Sequence, residues 1–155
     1  MSSIRVDRVP FGEDSVAMNS RYARCLEIRR IVFTLGQGVP EDLEFDGLDE
    51  DAEHFLASKL DSGDATPVGV ARLRRLDPHA KAERVGVLES KRDHGVGRAL
   101  MHAIEMRARE LELEAVVLHA QVGVISFYEK LGYEAHGEIF EEAGIEHRSM
   151  RKFLR

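Results

Sequence analysis

Residues 85–100 read VGVLESKRDHGVGRAL, and this stretch decides the fold class. A strand pattern ends, a polar segment carrying Gly95 and Gly97 follows, and helical spacing of apolar residues begins directly after it. Backbone N–H groups at a helix start are unpaired and lie at the positive end of the helix dipole, and glycine lets an anion approach closely. The stretch therefore predicts a strand–loop–helix junction that binds phosphate.

Two common phosphate loops do not match this junction. The Gly-x-x-x-x-Gly-Lys-Ser/Thr pattern of a Walker loop is absent. A dinucleotide-binding fold needs a third glycine, where Leu100 stands, and an acid ending the next strand, where His119 and Gln121 stand. An isolated Gly-x-Gly is also compatible with a tight turn that binds nothing, so the junction alone leaves that alternative open.

Periodicity outside this stretch predicts an α/β fold. Strands are expected at 4–9, 53–60, 66–76, 82–89, 115–119, 133–141 and 145–154, and helices at about 20–35, 95–112 and 123–131. The short turns between the strands of the first half indicate an antiparallel meander, and strand–helix–strand after Gly95 indicates a right-handed parallel crossover. We expect a mixed, mainly antiparallel sheet with one parallel crossover, flanked by helices.

The composition of the chain argues against several classes of function. The chain has 155 residues, with 22 basic and 28 acidic side chains and a net charge of −6, which fits one domain over 1–155 and disfavours nucleic-acid and membrane partners. No apolar run approaches a membrane span or a signal sequence, so a cytoplasmic location is expected. The single cysteine, Cys25, excludes an intrachain disulfide and a thiolate zinc cluster. Arg72, Arg74 and Arg75 are interpreted as a solvent-exposed sheet face.

The pattern Arg92-x-x-Gly95-x-Gly97 at a strand-to-helix junction resembles the acetyl-CoA signature of the GCN5-related N-acetyltransferase (GNAT) family. The order of elements matches that family over nearly the whole chain. The resemblance implies that the loop amides hold the pyrophosphate of acetyl-CoA, and that strand 115–120 parts from strand 82–89 to leave a wedge for the thioester. It implies these cofactor-binding residues: Val85, Val87, Arg92, Asp93, His94, Gly95, Val96, Gly97, Arg98, Gln121 and Tyr128.

A second motif, Phe127-Tyr128-x-x-x-Gly132-Tyr133, is similar to a conserved segment of the same family. The resemblance implies that Tyr128 protonates the departing CoA sulfur, a role that suits a phenol with a pKa of about 10. A core aromatic on a helix face is the alternative. Gln121 stands where many members of the family carry asparagine.

Finer details resemble the ElaA-like branch of the family. The matching residues are Arg29-x-x-Val32-Phe33, Gln37, Asp46-Gly47, His54, Arg84-Val85-x-Val87, Ala120-Gln121, Glu141 to Glu146, His147 and Met150. The resemblance places Arg29, Phe33, His54 and His147 around the acceptor substrate. Gly36 and Glu146 depart from the branch, which often has glutamate and proline there. A metal site is not expected, because His54 and His147 share no ligand spacing.

A protonated amine needs a path for its proton before it can attack a thioester. Glu83 on the cofactor strand and His119 at the end of the parallel strand are the candidate bases. A solvated Glu83, a hydrogen-bonded rim His119 and a water chain are the alternatives. Seven acids in segment 41–51 either form a solvated loop or steer a cationic amine to the site.

The leading hypothesis is an acetyl-CoA-dependent N-acetyltransferase that transfers the acetyl group directly to an amine of a small molecule or peptide. The alternatives are a CoA-binding regulatory module with little catalysis and a nucleotide-binding domain of unrelated chemistry. The terminal strands offer an edge that could pair in a homodimer, so a monomer and a homodimer both remain open.

Overall fold

The structure is a computed structural model that describes residues 3–12, 20–92 and 94–154. Its strands are β1 (Ser3–Val9), β2 (Glu53–Asp61), β3 (Asp64–Leu76), β4 (His79–Val87), β5 (Ala115–Gln121), β6 (Glu134–Glu142) and β7 (Ile145–Phe153). Its α-helices are α1 (Arg21–Arg29), α2 (Glu41–Glu44), α3 (Val96–Glu110) and α4 (Ile125–Lys130). The seven strands form one sheet in the order β1-β2-β3-β4-β5-β7-β6.

The sheet topology confirms the predicted fold class. Every neighbouring pair of strands is antiparallel except β4 and β5, which are parallel and joined through α3. β4 begins at His79, three residues earlier than expected, because Leu76 and His79 pair directly across the short turn at Asp77-Pro78. The predicted hairpin between β6 and β7 is present, with Ala143 at φ 53° and Gly144 at φ 77° in its turn.

The first helix has two parts. Ser20 caps α1 by accepting a hydrogen bond from the Ala23 N–H at 3.1 Å. The helix then continues as a π-helix over Arg30–Leu35. Its buried face, which includes Cys25, Ile28 and Val32, packs on one side of the sheet, so Cys25 is a core residue. No helix in the described part of the chain is long and apolar enough to cross a membrane.

The other side of the sheet carries the larger core. Leu100, Met101 and Ile104 of α3 are fully buried, and they belong to the same apolar cluster as Val116 and Leu118 of β5. Alternate residues of a strand face opposite sides of a sheet. His119 and Gln121, which alternate with that apolar row, therefore face the side of the first helix.

Two arginines lie in the interior on that same side. The side chain of Arg29 is 2% exposed and that of Arg72 is 0% exposed. The interpretation of Arg72 as solvent-exposed is therefore wrong: three carboxylates, those of Asp46, Asp49 and Glu83, lie within 3.0 Å of its guanidinium. Charge pairing makes the burial of an arginine tolerable.

Removal of one buried arginine should cost far more stability than removal of its neighbour. Arg29→Ala leaves the buried Glu44 without its 2.7 Å partner, so we expect a loss of about 3–5 kcal/mol in the free energy of unfolding. The matched control is Arg30→Ala, because Arg30 pairs with Glu41 at the surface and should contribute less than about 1 kcal/mol. Urea unfolding measures the stability of both variants. Equal losses would show that the buried ion pairs of Arg29 contribute no more than the surface pair of Arg30.

Candidate active site

The site begins where β4 and β5 part. Their parallel pairing runs from His79 and Ala115 to Ala82 and Leu118 and goes no further. β4 contains a bulge just beyond this point, because Arg72 pairs with Glu83 and Val70 with Gly86, which leaves Arg84 and Val85 opposite Ala71. Arg84 takes the left-handed backbone conformation at φ 53°. The bulge bends β4, and a wedge opens between the two strands.

The backbone of β4 faces this wedge beyond the bulge. The Leu88 N–H donates to the Val68 carbonyl at 2.9 Å, on the side of β3. Backbone groups alternate in direction along an antiparallel strand, so those of Val87 point to the opposite side. The Arg92 side chain also reaches that side, where its Nε donates to the Val87 carbonyl at 3.2 Å. Val85 lies within the bulge itself.

The glycine loop ends at the start of α3. Gly95 caps the helix with φ 82°, a conformation that strains any other residue. The first bond along the helix from this cap is Ala99 N–H to the Gly95 carbonyl at 3.0 Å, so the N–H groups of Val96, Gly97 and Arg98 have no partner in the helix itself. These amides form a site suited to an anion.

Packing requires a glycine at position 97. A Cβ atom there would lie 3.0 Å from the Phe127 ring, so the absence of a side chain lets α4 pack against the loop. Arg92, His94 and Arg98 are exposed around the loop and add two formal positive charges, since histidine is counted as neutral. Asp93 lies outside the described residues.

Tyr128 is held in an aromatic cluster. Its ring contacts those of Phe127 and Tyr133 edge to face, with centroid distances of 4.9 and 5.9 Å. The Tyr133 hydroxyl donates to Glu105 at 2.8 Å, which ties this cluster to α3. Burial raises the pKa of Tyr128 to about 12, so the phenol is protonated at neutral pH. Its hydroxyl makes no hydrogen bond to any residue in the described ranges and is free to donate to a ligand.

The two candidate bases lie on neighbouring strands at the point where the wedge begins. Ala82 and Leu118 are the last paired residues, and Glu83 and His119 follow them directly on the two strands. Their environments differ. The Glu83 carboxylate has partners in Arg72 at 2.8 Å, Arg74 at 2.7 Å and Lys81 at 3.2 Å. Burial alone would raise the pKa of Glu83, but these cations outweigh it and lower the pKa to about 2.

His119 is exposed and has one carboxylate partner. Its Nδ1 lies 3.0 Å from Glu142 Oε1, and its ring meets the Phe140 ring edge to face at 4.9 Å. His147 stacks on the other side of this arrangement, 5.9 Å from the Phe140 centroid, and its Nε2 lies 3.8 Å from Glu142 Oε2. The structure therefore brings His119 and His147 together, which the sequence did not indicate.

The other predicted acceptor residues lie apart from His147. Arg29 binds Glu44 and Asp49, and His54 Nε2 lies 2.9 Å from the Asp49 carbonyl. Burial lowers the pKa of His54. The four predicted residues thus form separate groups, and the contacts of Arg29 and His54 hold segment 41–51 in place. Phe33 packs against β4, with its ring 3.0 Å from the Cβ position of Gly86.

Four of the seven acids in segment 41–51 form ion pairs with arginines. Glu44, Asp46 and Asp49 bind buried or half-buried arginines, and Glu41 pairs with Arg30. Arg84 donates to Glu44 Oε1 at 2.9 Å and to Asp46 Oδ2 at 3.2 Å. The segment acts as an internal counter-charge for β3 and β4, which weakens the alternative that it steers a cationic amine.

Contacts between residues that are distant in sequence complete the site. Gln121 Nε2 donates to Gln37 Oε1 at 2.9 Å, which joins the end of β5 to the end of the first helix. Arg84 and Glu142 were quoted only as parts of longer patterns, and their contacts depend on tertiary structure. The described residues contain no group of three or more His, Cys, Asp or Glu side chains arranged to hold a metal ion.

Comparisons with known proteins identify this arrangement. The family model described as "Acetyltransferase (GNAT) domain" matches residues 40–154. A Bacillus subtilis protein, described only as a candidate acetyltransferase, is 40% identical over 129 residues, which cover 81% of this chain and 85% of that protein. Protein ElaA of Escherichia coli is 31% identical over 132 residues, which cover 82% of this chain and 84% of ElaA.

Solved structures agree with the sequence matches. The crystal structure of Escherichia coli ElaA superposes with a TM-score of 0.72 and 27% identity, over 98% of this chain and 99% of ElaA. An aminoglycoside 6′-N-acetyltransferase complexed with coenzyme A shares the fold, with a TM-score of 0.72, 12% identity and coverage of 97% of both chains. The chain belongs to the GNAT acetyltransferase family, in its ElaA-like branch. It is therefore an acyltransferase.

The ion pairs of Glu83 predict a particular loss of stability in acid. The pKa of Glu83 is about 2 in the folded protein, below the ordinary 4.5, so its stabilisation is complete above pH 4.5 and is lost as the pH falls towards 2. Glu83→Gln should be less stable than the wild type at pH 7, and the difference should shrink between pH 4.5 and 2. Urea unfolding at several pH values measures this.

The exposed Glu138→Gln is the control, and its difference from the wild type should stay small at every pH. A gap between the wild type and Glu83→Gln that is the same at pH 7 and pH 3 would show that Glu83 does not carry the charge assigned to it.

Proposed function

We propose that this chain is an acetyl-CoA-dependent N-acetyltransferase that acetylates a primary amine of a small molecule or peptide. The observation that carries the proposal is the wedge between β4 and β5, opened beside a buried tyrosine whose hydroxyl has no partner among the described residues. The coenzyme A bound to the aminoglycoside acetyltransferase of the same fold supports this choice of cosubstrate.

The residues present fit acetyl-CoA. The three free amides after Gly95, together with Arg92 and Arg98, would hold the pyrophosphate. The backbone groups of Val85 and Val87 would pair with the pantetheine arm as a neighbouring strand does. Gln121 keeps an amide at the end of β5. Acetyl-CoA, when bound, supplies an acetyl thioester whose C–S bond breaks as a C–N bond forms.

The residues of the chain have three tasks in this reaction. Backbone N–H groups of β4 stabilise the negative charge that develops on the thioester oxygen. Tyr128 donates its proton to the leaving sulfur, because its phenol is protonated at neutral pH and free to donate. A base near the point where β4 and β5 part accepts a proton from the amine. The transfer is direct, within a ternary complex, and the sequence indicates no covalent acetyl-enzyme nucleophile, since Cys25 is buried.

We also propose that residues 1–155 act as one acetyltransferase domain. The family match begins at residue 40, but β1 pairs with β2 over seven residues and the first helix packs on the same sheet. The N-terminal elements are thus part of the structure that holds the site. The cytoplasm is the proposed location, and a monomer and a homodimer both agree with this fold.

Replacement of Tyr128 tests the proposal. Tyr128→Phe should lower kcat by roughly 100-fold and leave the KM for acetyl-CoA nearly unchanged, because the variant loses only the proton donor. Release of free thiol from acetyl-CoA measures turnover, in a panel of ethylamine, spermidine and a peptide with a free N-terminus.

Tyr133→Phe is the matched control. It removes a second buried hydroxyl from the same cluster, and it should lower stability through the lost bond to Glu105 while kcat stays within a few-fold. Equal turnover of Tyr128→Phe and the wild type would remove Tyr128 from its role. Binding of coenzyme A without acetylation of any amine would instead favour a regulatory CoA-binding module.

A further inference from the structure

We propose that Glu142 is a positioning residue that orients His119 as the proton acceptor for the amine. This inference rests on the proposed function and deepens it, since it assigns the base of the reaction and the residue through which that base is aligned. The two side chains come from different parts of the chain, near the end of β5 and at the end of β6, and meet close to the point where β4 and β5 part.

The geometry is that of a carboxylate–imidazole pair. His119 Nδ1 lies 3.0 Å from Glu142 Oε1. A carboxylate accepts hydrogen bonds and does not donate them, so in the neutral imidazole the proton resides on Nδ1 and Nε2 carries the free lone pair. The same carboxylate stabilises the imidazolium that forms when Nε2 takes up a proton. An exposed histidine without such a partner would sample both tautomers.

The surroundings fix Glu142 and the imidazole ring. Phe140 lies between the two histidines, edge to face with His119 and stacked on His147. His147 Nδ1 lies 2.7 Å from the Ile145 carbonyl, and its Nε2 faces Glu142 at 3.8 Å. The tight turn after Glu142 places its carboxylate above the end of β5. Glu142, Phe140 and His147 thus lie around the His119 imidazole, and none of them contacts its Nε2.

Among the groups that surround His119, none is a better proton acceptor. On β7, Ser149 is its cross-strand partner and His147 shares its carboxylate. Across the wedge on β4 stands Glu83, whose oxygens are occupied by Arg72, Arg74 and Lys81. A carboxylate with a pKa of about 2 is a weak proton acceptor at neutral pH. His119 Nε2 has no such competing partner among the residues that the structure describes.

The proton balance of the reaction uses both His119 and Tyr128. A protonated primary amine loses one proton to His119 Nε2, and its lone pair then attacks the thioester carbon. The C–N bond forms and the C–S bond breaks. Tyr128 gives its proton to the sulfur and recovers one from the attacking nitrogen, so the products are the amide and the free thiol. The imidazolium of His119 passes its proton to solvent, which the exposure of the ring permits.

The test measures acetyl transfer by four variants, with the amine of the panel that the wild type acetylates fastest. His119→Gln and Glu142→Gln should each lower kcat by at least about 30-fold, with the KM for acetyl-CoA unchanged. The double variant should be no slower than His119→Gln, because Glu142 acts through His119. The control is Glu141→Gln, a neighbouring exposed carboxylate that should keep wild-type kcat.

A second readout separates positioning from a purely structural role. Added imidazole should restore part of the kcat of His119→Gly, and it should restore none in Glu142→Gln, which keeps its own imidazole. Full activity of either single variant, additive losses in the double variant, or no effect of imidazole on His119→Gly would overturn the inference. If Tyr128→Phe is impaired while His119→Gln is not, the roles assigned to His119 and Glu142 are wrong and the proposed function stands. If the wild type acetylates no amine, the proposed function fails and the inference falls with it.

Discussion

The left-handed backbone of Arg84 is the constraint on which the site depends. A non-glycine residue at φ 53° is strained by about 1–3 kcal/mol and persists only where its surroundings hold it. The guanidinium of Arg84 is bound by Glu44, by Asp46 and by the Leu43 carbonyl at 3.1 Å. The acidic segment therefore stabilises the bulge, and the bulge separates β4 from β5. The wedge between β4 and β5 therefore depends on the contacts of the acidic segment.

The ion network in the interior balances part of the acidic segment 41–51 with basic side chains from the first helix and the sheet. Four carboxylates, those of Glu44, Asp46, Asp49 and Glu83, meet five cations between the first helix, β3 and β4. A network of this kind adds little net stability over an apolar core, but removal of one member is costly. Its effect here is to fix one arrangement of the segment against the sheet. The glycine loop, by contrast, keeps its basic side chains at the surface, available to an anionic ligand.

The strands and the main helices could be predicted because burial imposes a period on the sequence. The apolar run before His119 and the helical spacing after Gly95 indicated a parallel crossover, and the glycine pattern indicated an anion site. Contacts between distant residues could not be predicted in this way. Alternation along β3 places Arg72 on one face, but the burial of that face depends on acids more than twenty residues away.

The sequence also could not distinguish between the two candidate bases. Glu83 and His119 were both candidates from sequence, Glu83 as a glutamate on the cofactor strand and His119 at the end of the parallel strand. Their partners differ in the structure: three cations contact Glu83, whereas one carboxylate contacts His119. The partner of His119 comes from the hairpin that follows, a pairing that no local pattern encodes. The motifs thus indicate where a cofactor would bind, whereas the contacts of the predicted acceptor residues depend on tertiary structure.

We propose that acetyl-CoA binds in the wedge between β4 and β5. The most direct measurement is a titration of the isotopically labelled protein with coenzyme A, followed through the backbone amide resonances in NMR spectra. Binding in the wedge should shift the amide resonances of residues 84–87, 95–98 and 119–121 in a saturable manner. The amide resonances of β1 and β2 should stay nearly unchanged. Absence of binding, or changes confined to the surface of β1 and β2, would contradict the proposal.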